Sequence, residues 1–277
     1  MTAMAVVTGA NQGLGRALVA GIADRLGRHS NVYLTGRDPD RVALAVRQLR
    51  DAGLHVLGER VDVRSTTAVN RFAALVAERH SRVDLVISNA AARITPELPQ
   101  AEQVATFVDT NNLGTTRMIR AFARLLAPGG RYLIVASAFG SLRNLPPQLH
   151  ERFDTAGMSL DDLDCQMTQF SEAVRAGRAE AEGWPDWVNI PSKVGQVAAM
   201  RILARQQHAL AKEDGRFIAA VCPDLVDTDA SRPWFTDMSQ AKSPDEAAAD
   251  ILALACDPVD RTLYGELIQH HRIVPWK

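Results

Sequence analysis

Short apolar runs alternate along this chain with longer stretches in which apolar residues recur every three or four positions. The first pattern suits strands buried on both faces, and the second suits helices laid across them. Strands are predicted at Ala3–Val7, Asn31–Thr35, His55–Val63, Val83–Ser88, Arg131–Ala136, Phe217–Cys222 and Gly265–Gln269. Helices are predicted over Arg16–Leu26, Pro39–Ala52, a stretch opened by Ser65 and Thr66, and a long segment through Thr110–Thr115 that ends at Pro128-Gly129-Gly130. Further helices are predicted near Met167 to Glu182 and over Val194–Ala211, and a last one is capped at Lys242-Ser243-Pro244-Asp245-Glu246. Strands and helices taking turns indicate layered α/β architecture. The alternation lapses from Phe139 to Trp187, where Pro146-Pro147, the acidic Asp161-Asp162-Leu163-Asp164 and the polar helical segment read as one long insertion, 139–187. With 277 residues and 47% apolar content, the chain can bury one sizeable core, so a single domain over 1–277 is expected.

The connection between the first strand and first helix is Thr8-Gly9-Ala10-Asn11-Gln12-Gly13-Leu14-Gly15. Side chains at Gly9, Gly13 and Gly15 would block either a close approach of backbone to a pyrophosphate or the packing of helix on strand. The helix start then offers unpaired N–H groups and partial positive charge to phosphates. The second strand ends in Gly36-Arg37-Asp38, at the loop that reaches an adenosine ribose in such folds. Arg37, with Arg41 four positions on, supplies charge and a planar donor fork for a 2′-phosphate, which favours NADP(H) over NAD(H). The plain alternative is two solvated arginines at the start of a helix.

Charge and cysteine usage narrow the partners. A formal net charge of -1 with no Lys/Arg block argues against a nucleic-acid surface, since phosphates need concentrated positive charge. A small-molecule substrate is expected instead. Cys165, Cys222 and Cys256 lie far apart and lack metal-type spacing with histidines, so neither a disulfide framework nor a metal site is indicated. No signal-like start and no apolar run of spanning length occur, so no membrane association is expected, and a reducing cytoplasm is the expected compartment.

The spacing Thr-Gly-x-x-x-Gly-x-Gly on the first strand resembles the short-chain dehydrogenase/reductase superfamily. The resemblance covers essentially the whole chain and implies a doubly wound parallel sheet, the Rossmann fold. It implies that Gly9, Asn11, Gly13, Leu14 and Gly15 line the pyrophosphate and that Asp62, followed by Val63, caps the adenine amino group. An Asp62 that merely helps cap the next helix is the alternative. Ser88-Asn89-Ala90-Ala91 resembles the family's Asn-Asn-Ala-Gly, and Asn89 and Ala90 carry over as cofactor-binding residues. Thr110-Asn111-Asn112-Leu113-Gly114 matches the Thr-Asn-x-x-Gly pattern, whose Asn (here Asn111) bulges a helix and holds a water that links the active-site lysine to solvent. Ser137, at the end of the fifth strand, matches the serine that donates to the substrate carbonyl. In Cys222-Pro223-Asp224-Leu225-Val226-Asp227-Thr228, Pro223, Val226 and Thr228 fall at nicotinamide-binding positions, and Ser231 to Lys242, with Trp234 and Phe235, forms a flap over the substrate. The insertion and Glu182-Gly183-Trp184-Pro185 resemble the carbonyl reductase and salutaridine reductase group, where the insertion covers the helices through which relatives oligomerise. A monomer is implied.

Two departures matter. The family's Tyr-x-x-x-Lys is here Asn189-Ile190-Pro191-Ser192-Lys193, with Asn189 in the tyrosine's place and Lys193 retained to hold the nicotinamide ribose. A phenol can protonate a nascent alkoxide; a carboxamide donates a hydrogen bond but cannot surrender a proton near neutral pH. Pro191 places the helix start close to itself, with Asn189 just before it. Asp224 replaces a glycine, and it could disfavour the reduced ring, face solvent, or become a proton donor if burial raised its pKa. The expected function is therefore an atypical NADPH-dependent reductase of a small, secondary-metabolite-like carbonyl, enal or imine, with Asn111, Ser137, Asn189 and Lys193 as the reacting set. The alternatives are a cofactor-bound isomerase, dehydratase or cyclase, and a non-enzymatic NADPH-binding protein.

Overall fold

In the computed structural model, which describes residues 3–277, each predicted apolar run becomes a strand. These are β1 (Met4–Val7), β2 (Asn31–Gly36), β3 (Val56–Arg60), β4 (Val83–Ser88), β5 (Leu126–Val135), β6 (Phe217–Val221) and β7 (Leu267–Gln269), joined by an unforeseen β8 (Arg272–Val274). The helices are α1 (Gly13–Leu26), α2 (Pro39–Asp51), α3 (Thr66–His80), α4 (Gln100–Val108), α5 (Gly114–Phe122), α6 (Leu160–Arg175), α7 (Asn189–Asp214) and α8 (Pro244–Cys256). One sheet results, in the order β3-β2-β1-β4-β5-β6-β7-β8, with every pairing parallel except β7 with β8.

Successive side chains along a strand point to opposite faces, and the sheet therefore supports two cores. Val6 and Tyr33 pack with Phe72, Phe122, Val197 and Leu203 of α3, α5 and α7. Ala5, Val7 and Leu34 pack on the other side with Leu18, Ile22, Val42 and Ile251 of α1, α2 and α8. Both clusters share the sheet, so the molecule is one doubly wound α/β domain. The strand order turns back between β1 and β4, and this switch point opens a crevice above the carboxyl ends of the strands.

Several boundaries differ from expectation for local reasons. The first helix begins at Gly13 rather than Arg16. β3 stops at Arg60, and Val61 to Val63 leave the sheet to line the crevice. Pro128-Gly129-Gly130 does not end a helix; it is a bulge inside β5, where the register shifts between Val83 and Leu85 and Gly129 takes φ +71°. The acidic run is the first turn of α6, closed by a reciprocal Ser159–Asp162 capping box, and the helix ends at Arg175, ahead of Gly177 at φ +69°, rather than near Glu182. α7 begins at Asn189, and Pro191 sits within its first turn, where the N–H groups have no intrahelical partner to lose. No helix among the described residues is long and apolar enough to cross a membrane.

Candidate active site

The glycine turn is stitched to the exit of β4. Thr8 Oγ1 accepts from the Asn89 and Ala90 N–H groups at 3.0 Å each, while Asn89 Nδ2 donates to the Thr8 and Gly9 carbonyls at 2.9 and 3.1 Å. The Asn89 side chain is thus spent on shaping the turn. Gly9 has φ +62°, and a Cβ there would lie 2.6 Å from Ala90 Cα; a Cβ on Gly15 would lie 2.5 Å from the Gly9 carbonyl oxygen. Gly13 has φ +52°, and a Cβ there would lie 3.6 Å from Thr228 Cγ2, an ordinary contact. No side chain caps the start of α1, so its first N–H groups remain available to an anion.

From this turn a cleft of about 290 Å³ runs across the ends of β1, β2 and β3, lined by Asn11, Arg37, Arg41, Asp62 and Val63. Arg37 and Arg41 are exposed at its rim. Asp38 is held by capping α2 through the Asp40 and Arg41 N–H groups and lies 3.7 Å from the Arg41 Nε. Asp62 is paired with Arg64 at 2.8 Å. Hydrogen bonding to that guanidinium holds its carboxyl below the usual carboxylate range against the opposing effect of burial. Ser65, rather than Asp62, caps α3 by accepting from the Ala68 N–H. Leu14 and Pro223 line neither this cleft nor its neighbour; Leu14 packs into the core beneath α1.

The neighbour is a cavity of about 440 Å³ above β4 to β7, and Ala91 lines both spaces. It gathers Asn111, Ser137, Asn189 and Lys193 from three separate places in the chain, together with Cys222, Val226 and Thr228. Asn111 lies in a π-helical turn, Asp109–Leu113, between α4 and α5. Its Oδ1 accepts from the Ala92 N–H at 2.8 Å and its carbonyl accepts from Thr115 Oγ1 at 2.6 Å. Ser137 follows β5, and its Oγ accepts from the Phe139 N–H at 3.3 Å. Asn189 and Lys193 stand one turn apart on one face of α7. Lys193 Nζ donates to Gln196 Oε1 at 2.8 Å; burial pushes the ammonium down to about 8, with nearby Cys222 acting the other way.

Two supporting residues escaped the sequence reading. Asn112 Nδ2 donates to the Ser192 carbonyl at 2.8 Å while Ser192 Oγ donates to Asn112 Oδ1 at 2.9 Å, a reciprocal buried pair that locks the π-helical turn to the start of α7. Gln196 holds Lys193. Neither belongs to a motif, and only the three-dimensional packing pairs them with their partners. Asp224 corrects an expectation. Burial raises its pKa, but hydrogen bonds from Lys242 and Gln269 and the charges of Lys242 and His270 outweigh it, leaving the carboxyl lowered, so it is no proton donor near neutral pH. Nor does it face solvent alone.

The walls are aromatic. Phe139, Trp187 and Trp234 form a row with ring centroids 5.3 and 5.5 Å apart, and Trp234 Nε1 donates to the Ile94 carbonyl across the rim. Among the described residues, no tyrosine lines the cavity. Tyr33 and Tyr132 are buried in the core, and Tyr264, pushed up to about 12 by burial, donates to the Ala204 carbonyl.

The chain matches the family model described as short chain dehydrogenase over residues 3–146. It is 30% identical to carbonyl reductase [NADPH] 1 of Bos taurus over 99% of this chain and 98% of that protein, and 29% identical to the Rattus norvegicus protein of that name over the same shares. Its fold resembles that of salutaridine reductase from Papaver somniferum, with a TM-score of 0.80, 20% identity, and coverage of 96% of this chain and 99% of that one.

Proposed function

This chain belongs to the short chain dehydrogenase family, and we propose that it is an NADPH-dependent oxidoreductase of carbonyl reductase type, acting on a carbonyl, enal or imine of a small organic compound. One observation carries the reading. Two adjoining spaces over the strand ends, with Ala91 in the wall of both, bring the glycine turn and two exposed arginines beside the cavity that holds Ser137, Asn189 and Lys193. The residues fit a dinucleotide: the turn packs this tightly only because Gly9 and Gly15 lack side chains, Gly13 holds a positive φ, and α1 opens with uncapped N–H groups. Arg37 and Arg41 would pair with a 2′-phosphate, Lys193 with ribose hydroxyls, and Val226 and Thr228 with the carboxamide. When bound, the reduced nicotinamide supplies a hydride.

The protein's own groups handle the substrate oxygen. The Ser137 hydroxyl and the Asn189 amide donate hydrogen bonds to it, and neither releases a proton near neutral pH. Lys193 can, because an ammonium with pKa about 8 is poised close to working pH. It passes a proton to the oxygen through water, and solvent reloads it along the π-helical turn at Asn111. Segment 139–187 completes the molecule as a monomer, with α6 packed against α4 and α7 and Arg120 of α5 paired to Asp161 and Asp164 at 2.6 and 2.8 Å.

The test is NADPH oxidation at 340 nm across a panel of ketones, enals and imines, using protein shown to bind the coenzyme. Steady absorbance across the panel sinks the reductase reading. Asn189 favours a second reading: a cofactor-bound isomerase, dehydratase or cyclase needs donors at Ser137, Asn189 and Lys193 but no phenol. It would turn substrate over without net oxidation of NADPH.

A further inference from the structure

Most polar side chains around the candidate substrate cavity are committed. Asn111 Oδ1 takes the Ala92 N–H, Lys193 donates to Gln196, and Thr228 Oγ1 is shared with Ser231 and the Ala230 N–H. Beyond Asn111, whose Nδ2 has no hydrogen-bond partner among the described residues, and the Ser137–Asn189–Lys193 group, Gln269 differs. It is the last residue of β7, it lines the cavity, and its Nε2 donates to Asp224 Oδ1 at 2.5 Å. A carboxylate only accepts, so the amide nitrogen must face Asp224 and the orientation of the carboxamide is set on physical grounds. Gln269 Oε1 has no hydrogen-bond partner among the described residues, yet it is not one of the atoms sealed from solvent without a partner. It is an accessible acceptor with nothing to accept.

Asp224 is itself held firmly enough to impose that orientation. It sits at φ +66°, a left-handed conformation uncommon for non-glycine residues and tolerated best by Asn and Asp. Its Oδ2 meets Lys242 Nζ at 2.6 Å and His270 Nε2 at 3.1 Å, which leaves Oδ1 to Gln269. Lys242 is fixed in turn, because its backbone pairs with Leu225 and Asp227 across the neck of the flap. Three segments thus converge on one carboxylate: the exit of β6, the base of the flap and the β7–β8 turn.

We infer that Gln269 is a specificity-determining residue, turned by Asp224 so that its carbonyl oxygen accepts from the ligand, and that the preferred substrate carries a hydroxyl or N–H donor besides its reacting carbonyl. Asp224 is the positioning residue. The inference rests on the reading of this cavity as the substrate site. A donor set against aromatic walls finds few other acceptors, so its loss is felt. One neutral hydrogen bond corresponds to roughly a two- to tenfold change in affinity.

The experiment is ligand-observed NMR titration of the full chain, loaded with NADP⁺, against ketone pairs that differ only in a hydroxyl and its methyl ether. Benzoin with benzoin methyl ether, and the 2′-, 3′- and 4′-hydroxyacetophenones with their methoxy counterparts, cover different donor positions. The expected result is that the hydroxyl member of at least one pair binds roughly threefold or more tightly than its ether. That ratio falls to about one in Gln269→Met, which keeps length and removes the acceptor. Gln269→Asn, which withdraws it, serves as the second variant if the first does not fold. In Asp224→Asn the ratio also falls, since a carboxamide lets its neighbour turn over. No discrimination by the parent, or a ratio that survives Gln269→Met, overturns the inference; a ratio unchanged in Asp224→Asn removes Asp224 from it. Binding is read without turnover, so absence of reduction would sink the proposed activity while leaving this result to stand or fall separately.

Discussion

Asn189→Tyr tests the chemistry most directly. The side chain at 189 projects from the first residue of α7 into a cavity of about 440 Å³ and is only partly buried, so a phenol can enter without displacing the core. Lys193 stands one turn further along the same helix face, a rise of about 6 Å. An ammonium at that distance, at an effective dielectric constant of about 20, stabilises a phenolate by roughly 3 kcal/mol, or about two pKa units. The introduced phenol, ordinarily near 10, would titrate at about 8 and become a competent acid at neutral pH. Positioned acid catalysis is worth on the order of 10²- to 10⁴-fold. We expect kcat/KM for NADPH-dependent ketone reduction at pH 7 to rise by at least tenfold, measured at 340 nm beside the parent, with coenzyme affinity followed separately by NADPH fluorescence. A folded variant that binds NADPH as the parent does and gains less than threefold would refute the view that this is a reductase pocket from which the acid has been removed.

The remaining predictions address the parts that hold this chemistry in place. Lys193 is protonated below its depressed pKa of about 8 and neutral above it, so kcat/KM of the parent should fall as pH rises through about 8; a profile level to pH 10 argues against the ammonium as proton source. Removing both guanidiniums in Arg37→Ser/Arg41→Ser should weaken NADPH roughly tenfold or more while changing NADH little, checked by equilibrium fluorescence titration. If both coenzymes weaken equally, the arginines do not read the 2′-phosphate. Asn112→Ala breaks two buried hydrogen bonds and leaves the buried Ser192 hydroxyl without its acceptor, a loss of about 2–4 kcal/mol. In a chain this long that lowers Tm by roughly 4–10 °C by circular dichroism, and a Tm within 1 °C of the parent would show the pair to be dispensable.

Local patterns carried much of this protein. Hydrophobic periodicity placed seven of the strands, because burial on both faces demands uninterrupted apolar runs whatever the neighbours are. Gly9, Gly13 and Gly15 could be read as a phosphate turn because positive φ and close backbone approach are demands on single residues. Ser137, Asn189 and Lys193 followed from motif spacing, and the absence of tyrosine at 189 was visible at once.

What the chain order could not convey is which groups neutralise one another. Asp224 read as a possible acid because its burial could be guessed, whereas Lys242, Gln269 and His270, distant in sequence, surround it only after folding. The Asp161–Asp164 run read only as an acidic stretch of the long insertion, and the structure makes it the first turn of α6, closed by the Ser159 capping box. The Asn112–Ser192 lock joins residues 80 positions apart. Propensity and periodicity act over a few residues and so survive in the one-dimensional pattern. Electrostatic compensation and hydrogen-bond pairing depend on through-space distances of about 3 Å, and tertiary structure alone decided those.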